Sequence, residues 1–281
     1  MITAPKTQPA ARKANQPIRS PRGGLVLMVA APLAALAAFL LLLQTVSHTG
    51  LITLGGLVCL VLGSLGYDIG KRMRLPDGWT VMARDPRPPV VYLRPFAEDD
   101  RMNYDAPVGT RRGGVDTAAG AKGNASHERA VARALRSVGP LVAIGKPGER
   151  VAPFGAARIY VGDDEWRETV MKLLKKAALV VLQPEASEGT WWELNAVAKH
   201  VDARRVLMLV PDPTLRPRGY ERVRRVTAQV LPVALPESPG KCDAAIFDDD
   251  ARPIAFPFGR DPEKTLEPFI TRVRKLAPPA S

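Results

Sequence analysis

Cysteine and histidine are scarce in this chain of 281 residues, which contains two of the first and three of the second. Two cysteines cannot form a disulfide framework or a four-cysteine zinc site. The histidines, at positions 48, 127 and 200, are too widely scattered to suggest a histidine-rich metal centre. We therefore predict no metal site in this protein.

Glycine-rich phosphate-binding motifs are also missing. The stretch from Gly114 to Lys122 looks like a Walker A loop, but Ala121 separates Gly120 from the lysine and no Ser or Thr follows. No G-x-G-x-x-G motif opens a helix either. A flexible loop is the favoured interpretation of residues 109–124. These absences argue against a P-loop nucleotidase and against a Rossmann dinucleotide-binding site.

Charged residues are absent from two long stretches, residues 24–43 and 51–67. At ~1.5 Å of rise per residue, a helix over the first stretch is ~30 Å long, which is the thickness of the hydrocarbon core of a bilayer. Because backbone polar groups in lipid must bond within their own segment, the two stretches predict a transmembrane helical hairpin over 24–70. A signal peptide is disfavoured because a second apolar run follows. A buried hairpin in a soluble core is disfavoured because neither run has a polar face.

Acidic residues are absent from residues 1–23, which carry +5 of the formal net charge of +12 and are expected to be a disordered basic tail. Residues 68–74 carry a further +2, and the loop between the two helices carries no basic residue. The positive-inside rule predicts an inner (plasma) membrane protein with two helices and both termini in the cytoplasm. The lipid bilayer is therefore an expected partner. No basic helix or aromatic–basic platform stands out, so we expect no nucleic-acid partner.

Apolar strands and amphipathic helices alternate after a linker over 71–88. This alternation predicts an α/β domain over 89–278, with a parallel sheet and helices on both faces. Ligands bind such a sheet at the carboxyl ends of its strands, here at 94–100, 145–149 and 183–190. The predicted strands are 90–93, 141–144, 157–161, 178–182 and 206–210, and the predicted helices start near 126 and cover 165–177 and 190–201. Beyond 211 we predict a helix at 220–230, a hairpin through 244–247 and 254–256, and a helix at 262–276.

Two segments resemble the Toll/interleukin-1 receptor (TIR) domain family. The first is an apolar strand followed by Arg94-Pro95, where the family usually has Ser-Phe, and by Glu98-Asp99, which matches an acidic pair of the family. The second runs from Val180 to Leu194 and gives a buried strand, a polar loop with a serine, and a helix with Trp and Glu-Leu. The resemblance covers about residues 89–210 and implies a flavodoxin-like parallel sheet. Gly189 stands where the family commonly has a tryptophan.

The resemblance implies that NAD+ is a substrate rather than a cofactor, and that Glu193 is the glutamate that catalytic TIR domains use to cleave it. It also implies self-association in signalling or defence, which a membrane hairpin favours by raising the local concentration. The candidate substrate-binding residues are Arg94, Phe96, Lys146, Trp191 and Trp192. Two other functions stay open: a non-catalytic interaction and assembly module, and a sensor that binds a nucleotide without cleaving it.

Several candidate residues also have a simpler explanation. Thr190-Trp-Trp-Glu193 fits a capping box, in which Thr190 caps a helix and Glu193 returns a bond to it. Either tryptophan can belong to the core. Arg94 can hold a phosphate or can pair with Glu98 or Asp99, and Lys146 and Arg158 have the same ambiguity.

Three charge clusters are predicted to be structural. Asp248-Asp-Asp250 is expected to form a hairpin turn rather than a cation site. Residues 163–165 are expected to cap a helix. Arg222, Arg224 and Arg225 are expected on a solvated or membrane-facing helix surface.

Overall fold

The structure of the protein is a computed structural model. It describes residues 17–45, 48–94, 128–146, 148–162, 164–185, 188–259 and 261–277. These residues form two compact units. A helical unit lies within 17–76 and 148–153, and an α/β unit lies within 77–146 and 154–277.

The helical unit contains two helices of 25 residues each, α1 (Pro21–Thr45) and α2 (Thr49–Met73). Both are long and apolar enough to span a membrane, which is consistent with membrane association. Many of their leucines are exposed, including Leu41 at 61% and Leu60 at 69%. These two helices are therefore not buried as the core of a soluble domain would be, and a bilayer would remove this apolar surface from water.

Small residues let α1 and α2 approach each other closely. A Cβ atom on Gly63 would lie 3.0 Å from the Cβ of Ala35, and one on Gly66 would overlap the side chain of Ala31. Helices in lipid associate through such close van der Waals packing, because lipid offers no hydrophobic drive between them. The contact between the two helices is therefore of the kind expected for a membrane hairpin.

The α/β unit is built on one sheet of seven strands. It begins with a short helix, α3 (Gly78–Arg84), inside the segment predicted to be a linker. Asp77 caps this helix by accepting a hydrogen bond from the Thr80 N–H at 2.7 Å. The remaining elements are, in chain order, β1 (Val90–Leu93), α4 (128–135), β2 (Leu141–Ile144), β3 (Ala157–Ile159), α5 (Trp166–Lys176), β4 (Leu179–Leu182), α6 (Glu188–His200), a 3-10 turn (Ala203–Arg205), β5 (Val206–Leu209), α7 (Pro217–Thr227), β6 (Ala244–Phe247), β7 (Pro253–Phe256) and α8 (Pro262–Leu276).

The strand order is β3-β2-β1-β4-β5-β6-β7. Strands β1 to β5 are parallel, and β6 and β7 extend the sheet from β5 as an antiparallel hairpin. The prediction of a parallel sheet is confirmed for five strands, and the predicted hairpin forms the other two. The fold class is therefore mixed α/β with a mostly parallel sheet.

Both faces of the sheet are covered by helices, as predicted. On one face Val91 and Leu182 pack with residues of α5, α6 and α7. On the other face Val90 and Val181 pack with residues of α4 and α8. All four residues of β1, of β2, of β4 and of β5 are buried, which explains why these strands are apolar without alternation.

Prolines occupy outward-facing positions along β7, the last strand of the sheet. The Asp248 N–H donates to the carbonyl of Arg252 at 3.1 Å, so alternate residues from 252 onward face β6. The outward positions are then Pro253, Ala255 and Pro257, and two of these have no N–H to offer. This edge is poorly suited to pairing with a strand of another chain.

Candidate functional site

The point where the strand order reverses lies between β1 and β4. From β1 the chain continues to β2 and β3 on one side, and then returns to form β4 and β5 on the other. In open α/β sheets ligands bind outside the carboxyl ends of the strands at such a point. Arg94 follows β1 and Gln183 follows β4, so both lie at this place in the fold.

Two hydrogen bonds hold the ends of β1 and β4 together. The Tyr92 hydroxyl donates to Oε1 of Gln183 at 2.7 Å, and the backbone N–H of Gln183 donates to the carbonyl of Leu93 at 2.9 Å. Tyr92 is 4% exposed. The ends of these two strands are therefore joined by polar contacts that the residue types alone did not indicate.

Glu193 lies near the start of α6, the helix that follows β4. It is the sixth residue of that helix, ~7.5 Å along the axis from its first residue. Its side chain is on the buried face with Thr190 and Val197, and Glu193 is 9% exposed. Among the residues that the structure describes, none forms a hydrogen bond or ion pair with its carboxyl group. Burial without a compensating partner raises the pKa of Glu193 to about 8.

The capping-box interpretation of Glu193 is wrong. It required Thr190 to precede the helix, but α6 starts at Glu188 and Thr190 is already its third residue. Thr190 and Glu193 are both buried on the face toward the sheet, where neither can cap the start of a helix. Glu193 thus has no capping role to explain its presence in an apolar interface.

The two tryptophans of α6 have different surroundings. The ring of Trp192 meets the ring of Trp166 edge to face, with centroids 4.7 Å apart and an angle of 83° between the planes. Arg167 places its guanidinium carbon 5.6 Å from the Trp192 centroid and 5.7 Å from the Trp166 centroid. Trp191 is 37% exposed instead. Trp192 therefore packs between α5 and α6, and Trp191 is the ring with a face open to a ligand.

Arg167 is a residue of the contact between α5 and α6 that the sequence did not single out. Its cation lies over both aromatic rings, an arrangement that depends on the packing of α5 against α6. Within the sequence it is one of many arginines, and no spacing rule links it to Trp192. Only the tertiary contact identifies it.

Arg94 and Lys146 lie at the same edge of the sheet. Arg94 directly follows β1, Lys146 follows β2 by two residues, and these two strands are neighbours. Phe96 lies outside the described residues, as do Glu98 and Asp99, the alternative partners of Arg94. The loop over 98–124 lies outside them as well, so the basic candidates at this edge are Arg94 and Lys146.

Arg158 belongs to a buried ion pair. Its Nη2 lies 2.8 Å from Oε2 of Glu128, and the two side chains are 1% and 7% exposed. Oε1 of Glu128 also accepts the Ala156 N–H at 2.7 Å. At Gly155, with φ of +127°, a Cβ would lie 2.6 Å from that same oxygen. The ambiguity at Arg158 is resolved in favour of an ion pair that fastens α4 to β3.

The aspartates at 248–250 form the predicted turn. Oδ1 of Asp248 accepts the N–H groups of Asp250 at 2.9 Å and Arg252 at 2.8 Å, which closes the hairpin between β6 and β7. Among the described residues, no group of three or more His, Cys, Asp or Glu side chains is placed to hold a metal ion.

Comparisons with protein-family models, with curated proteins and with solved structures find no significant match to this chain. The class of protein that the structure defines is a mixed α/β protein with two helices able to span a membrane. The resemblance to TIR domains stays a prediction from the two sequence segments described above.

Proposed function

We propose that this chain is a membrane-anchored NAD+ glycohydrolase with a TIR-like, flavodoxin-like domain, and that it acts in signalling or defence with Glu193 as its catalytic carboxyl group. The observation that carries the proposal is the burial of Glu193 without a hydrogen-bonding partner among the described residues, on the helix that follows β4, one of the two strands at the strand-order reversal. A buried ionisable group with a shifted pKa at a ligand-binding edge is a common property of active sites.

The chemistry suits a carboxyl group that changes its charge when substrate binds. Cleavage of the bond between nicotinamide and ribose leaves the bonding electron pair on the ring, which departs as neutral nicotinamide. The ribose C1′ then has oxocarbenium character, which a fixed carboxylate stabilises in a site shielded from water. Water adds to C1′ and loses a proton, and the products are nicotinamide, ADP-ribose and H+.

Glu193 has to be ionised for this role, although its pKa is raised in the free protein. The pyridinium ring of NAD+ carries a positive charge, and a nearby positive charge favours the carboxylate. Substrate binding is therefore expected to lower the pKa of Glu193 and to release a proton. The raised pKa of the free site keeps an unpaired negative charge out of the apolar interface until its substrate arrives.

The remaining candidates are assigned by their position. Arg94 and Lys146 are suited to the pyrophosphate, because both are basic residues that follow neighbouring strands at one edge of the sheet. Trp191 offers an exposed ring for stacking on a base or on nicotinamide. Trp192 and Arg167 hold α5 against α6, which makes them positioning residues for Glu193. Phe96 remains a sequence-based candidate.

The packing of Trp192 favours one competing function. The Trp192 ring already contacts the Trp166 ring and the Arg167 guanidinium group, so one expected binding group has a structural role. A non-catalytic module that assembles through the same domain would need no such group. A nucleotide sensor is the other alternative, and it predicts saturable binding of NAD+ without products.

The experiment measures nicotinamide release by the full chain reconstituted in liposomes at low and high protein density. E193Q keeps the size of the side chain and removes the carboxylate, and E188Q is the matched control because Glu188 is exposed on the same helix. We expect release by the wild type and by E188Q, and at least a hundredfold loss in E193Q. Absence of release by folded wild-type protein at every density, or full activity of E193Q, would reject the enzyme.

A further inference from the structure

The amino ends of the parallel strands lie on the opposite side of the sheet from the candidate site. We call this side the amino edge, and basic residues are concentrated there. Helices α4 and α5 precede the parallel strands β2 and β4, so their last turns lie at the amino ends of those strands. Helix α8 ends there too, because Nη2 of Arg274 donates to the carbonyl of Ser137 at 3.2 Å, between α4 and β2. Two exposed cations lie at the end of each of these three helices, Arg136 being one residue beyond α4. We call these six residues, Arg133, Arg136, Lys175, Lys176, Arg274 and Lys275, the basic edge.

The positive charge of the basic edge is not neutralised by its surroundings. None of the six cations forms an ion pair with a described residue. Two carboxylates at this edge form ion pairs with other arginines: Asp85 pairs with Arg87 at 2.7 Å, and Asp202 pairs with Arg204 at 2.6 Å. The acidic turn 248–250 lies at the β6–β7 end of the same edge and adjoins α8, because Nη2 of Arg272 donates to the carbonyl of Phe247 at 2.7 Å.

Helix dipoles account for only part of this arrangement. One cation in a last turn complements the partial negative charge at the end of a helix. Here each of the three helix ends has two exposed cations. In addition, the Arg87 guanidinium group donates a hydrogen bond to the carbonyl of Arg136 at 2.9 Å. Such a concentration of unpaired positive charge on one side of a domain is an electrostatic binding surface for a polyanion.

We propose that the basic edge binds the anionic phospholipid headgroups of a membrane. The same chain carries two helices able to span a bilayer, so lipid phosphates are the polyanion present at high effective concentration. The proposal depends on membrane association of α1 and α2 and is independent of the proposed NAD+ cleavage.

The test uses the native lysines of the full chain in lipid nanodiscs. The discs contain either phosphatidylcholine alone or phosphatidylcholine with about a third of phosphatidylglycerol, and an amine-reactive reagent followed by mass spectrometry gives the labelling rate of each lysine. Lys264 is the internal control, because it is exposed in the first turn of α8, at the opposite end of the helix that carries Lys275. We expect Lys175, Lys176 and Lys275 to label at least about threefold more slowly in anionic discs, Lys264 to be unchanged, and high salt to remove the difference.

Two triple variants test whether the basic edge, rather than other arginines of the surface, binds the lipid. R133Q/R136Q/R274Q removes three charges of the basic edge, and R216Q/R218Q/R222Q removes three exposed arginines at the start of α7. We expect the first triple variant to lose the protection of the lysines and the second to keep it. Equal labelling in both kinds of disc, equal slowing of Lys264, or protection by free phosphate or duplex DNA in neutral discs without any by anionic lipid would overturn the proposal.

Discussion

Replacing Glu193 with glutamine should make the α/β unit more stable at neutral pH, although the residue is buried. The folded protein raises the pKa of Glu193 from 4.5 to about 8, because burial penalises the carboxylate. A group with a raised folded pKa contributes its full stability below pH 4.5, and that contribution is lost as the pH rises toward 8. Each unit of pKa difference corresponds to ~1.4 kcal/mol, so the carboxyl group costs about 3 kcal/mol at pH 7.

The pH dependence of the difference is a stricter test than its value. By linkage, the carboxyl group of Glu193 lowers the unfolding free energy by about 1 kcal/mol at pH 5 and by about 4 kcal/mol at pH 8. The glutamine of E193Q has no such effect. Other titrating groups are common to both proteins and cancel in the difference. The unfolding free energy of E193Q relative to wild type should therefore rise by about 3 kcal/mol between pH 5 and pH 8.

The assay is urea unfolding of the full chain in non-ionic micelles, followed by tryptophan fluorescence. Trp79, Trp166, Trp191 and Trp192 account for all four tryptophans and belong to the α/β unit, so the signal reports that unit alone. E188Q, which neutralises an exposed carboxylate on the same helix, should track the wild type at every pH. A difference between E193Q and wild type that does not change with pH would refute the argument, because it would mean that Glu193 is ionised in the folded protein.

Three further predictions follow from other parts of the structure. If ionised Glu193 acts on NAD+, kcat/KM should rise about tenfold per pH unit below the pKa of Glu193 in the free protein, which is about 8. The value of kcat should level off at a lower pH, because the pyridinium charge favours the carboxylate. A pH-independent kcat/KM would count against that role. E128Q leaves the buried Arg158 without its carboxylate and should cost about 3–5 kcal/mol in urea unfolding; a loss below 1 kcal/mol would mean that the pair is solvated. G66L should drive α2 away from Ala31 and reduce cysteine crosslinking between engineered positions on α1 and α2, whereas a leucine at exposed Gly50 should not.

The fold was predictable from the sequence where burial is uniform. Strands such as residues 90–93 and 206–209 are buried on both faces, so an unbroken apolar run was a reliable sign of them. The start of α6 was predicted two residues late, at Thr190. The helix begins at Glu188, and local capping signals were misleading because Thr190 and Glu193 both face the sheet.

The candidate site was only partly predictable for a related reason. Strand ends and the Glu193 segment follow from local pattern and from resemblance. The contacts that shape the site join residues far apart in the chain, such as Tyr92 with Gln183 and Arg167 with Trp192. No period or motif in either partner's segment records these contacts. They had to come from the packing of β1 on β4 and of α5 on α6.

The amino and carboxyl ends of the parallel strands differ in their electrostatic properties, and the parallel topology accounts for both. The helices α4, α5 and α8 end at the amino edge with exposed cations, whereas the carboxyl edge leads to a buried carboxyl group that is costly to ionise. A destabilising group at an active site is the usual form of the trade-off between stability and activity. A substitution that raises stability and abolishes NAD+ cleavage together would establish that trade-off at Glu193. The same substitution raising stability with lipid protection of the basic edge intact would show that the two ends act independently.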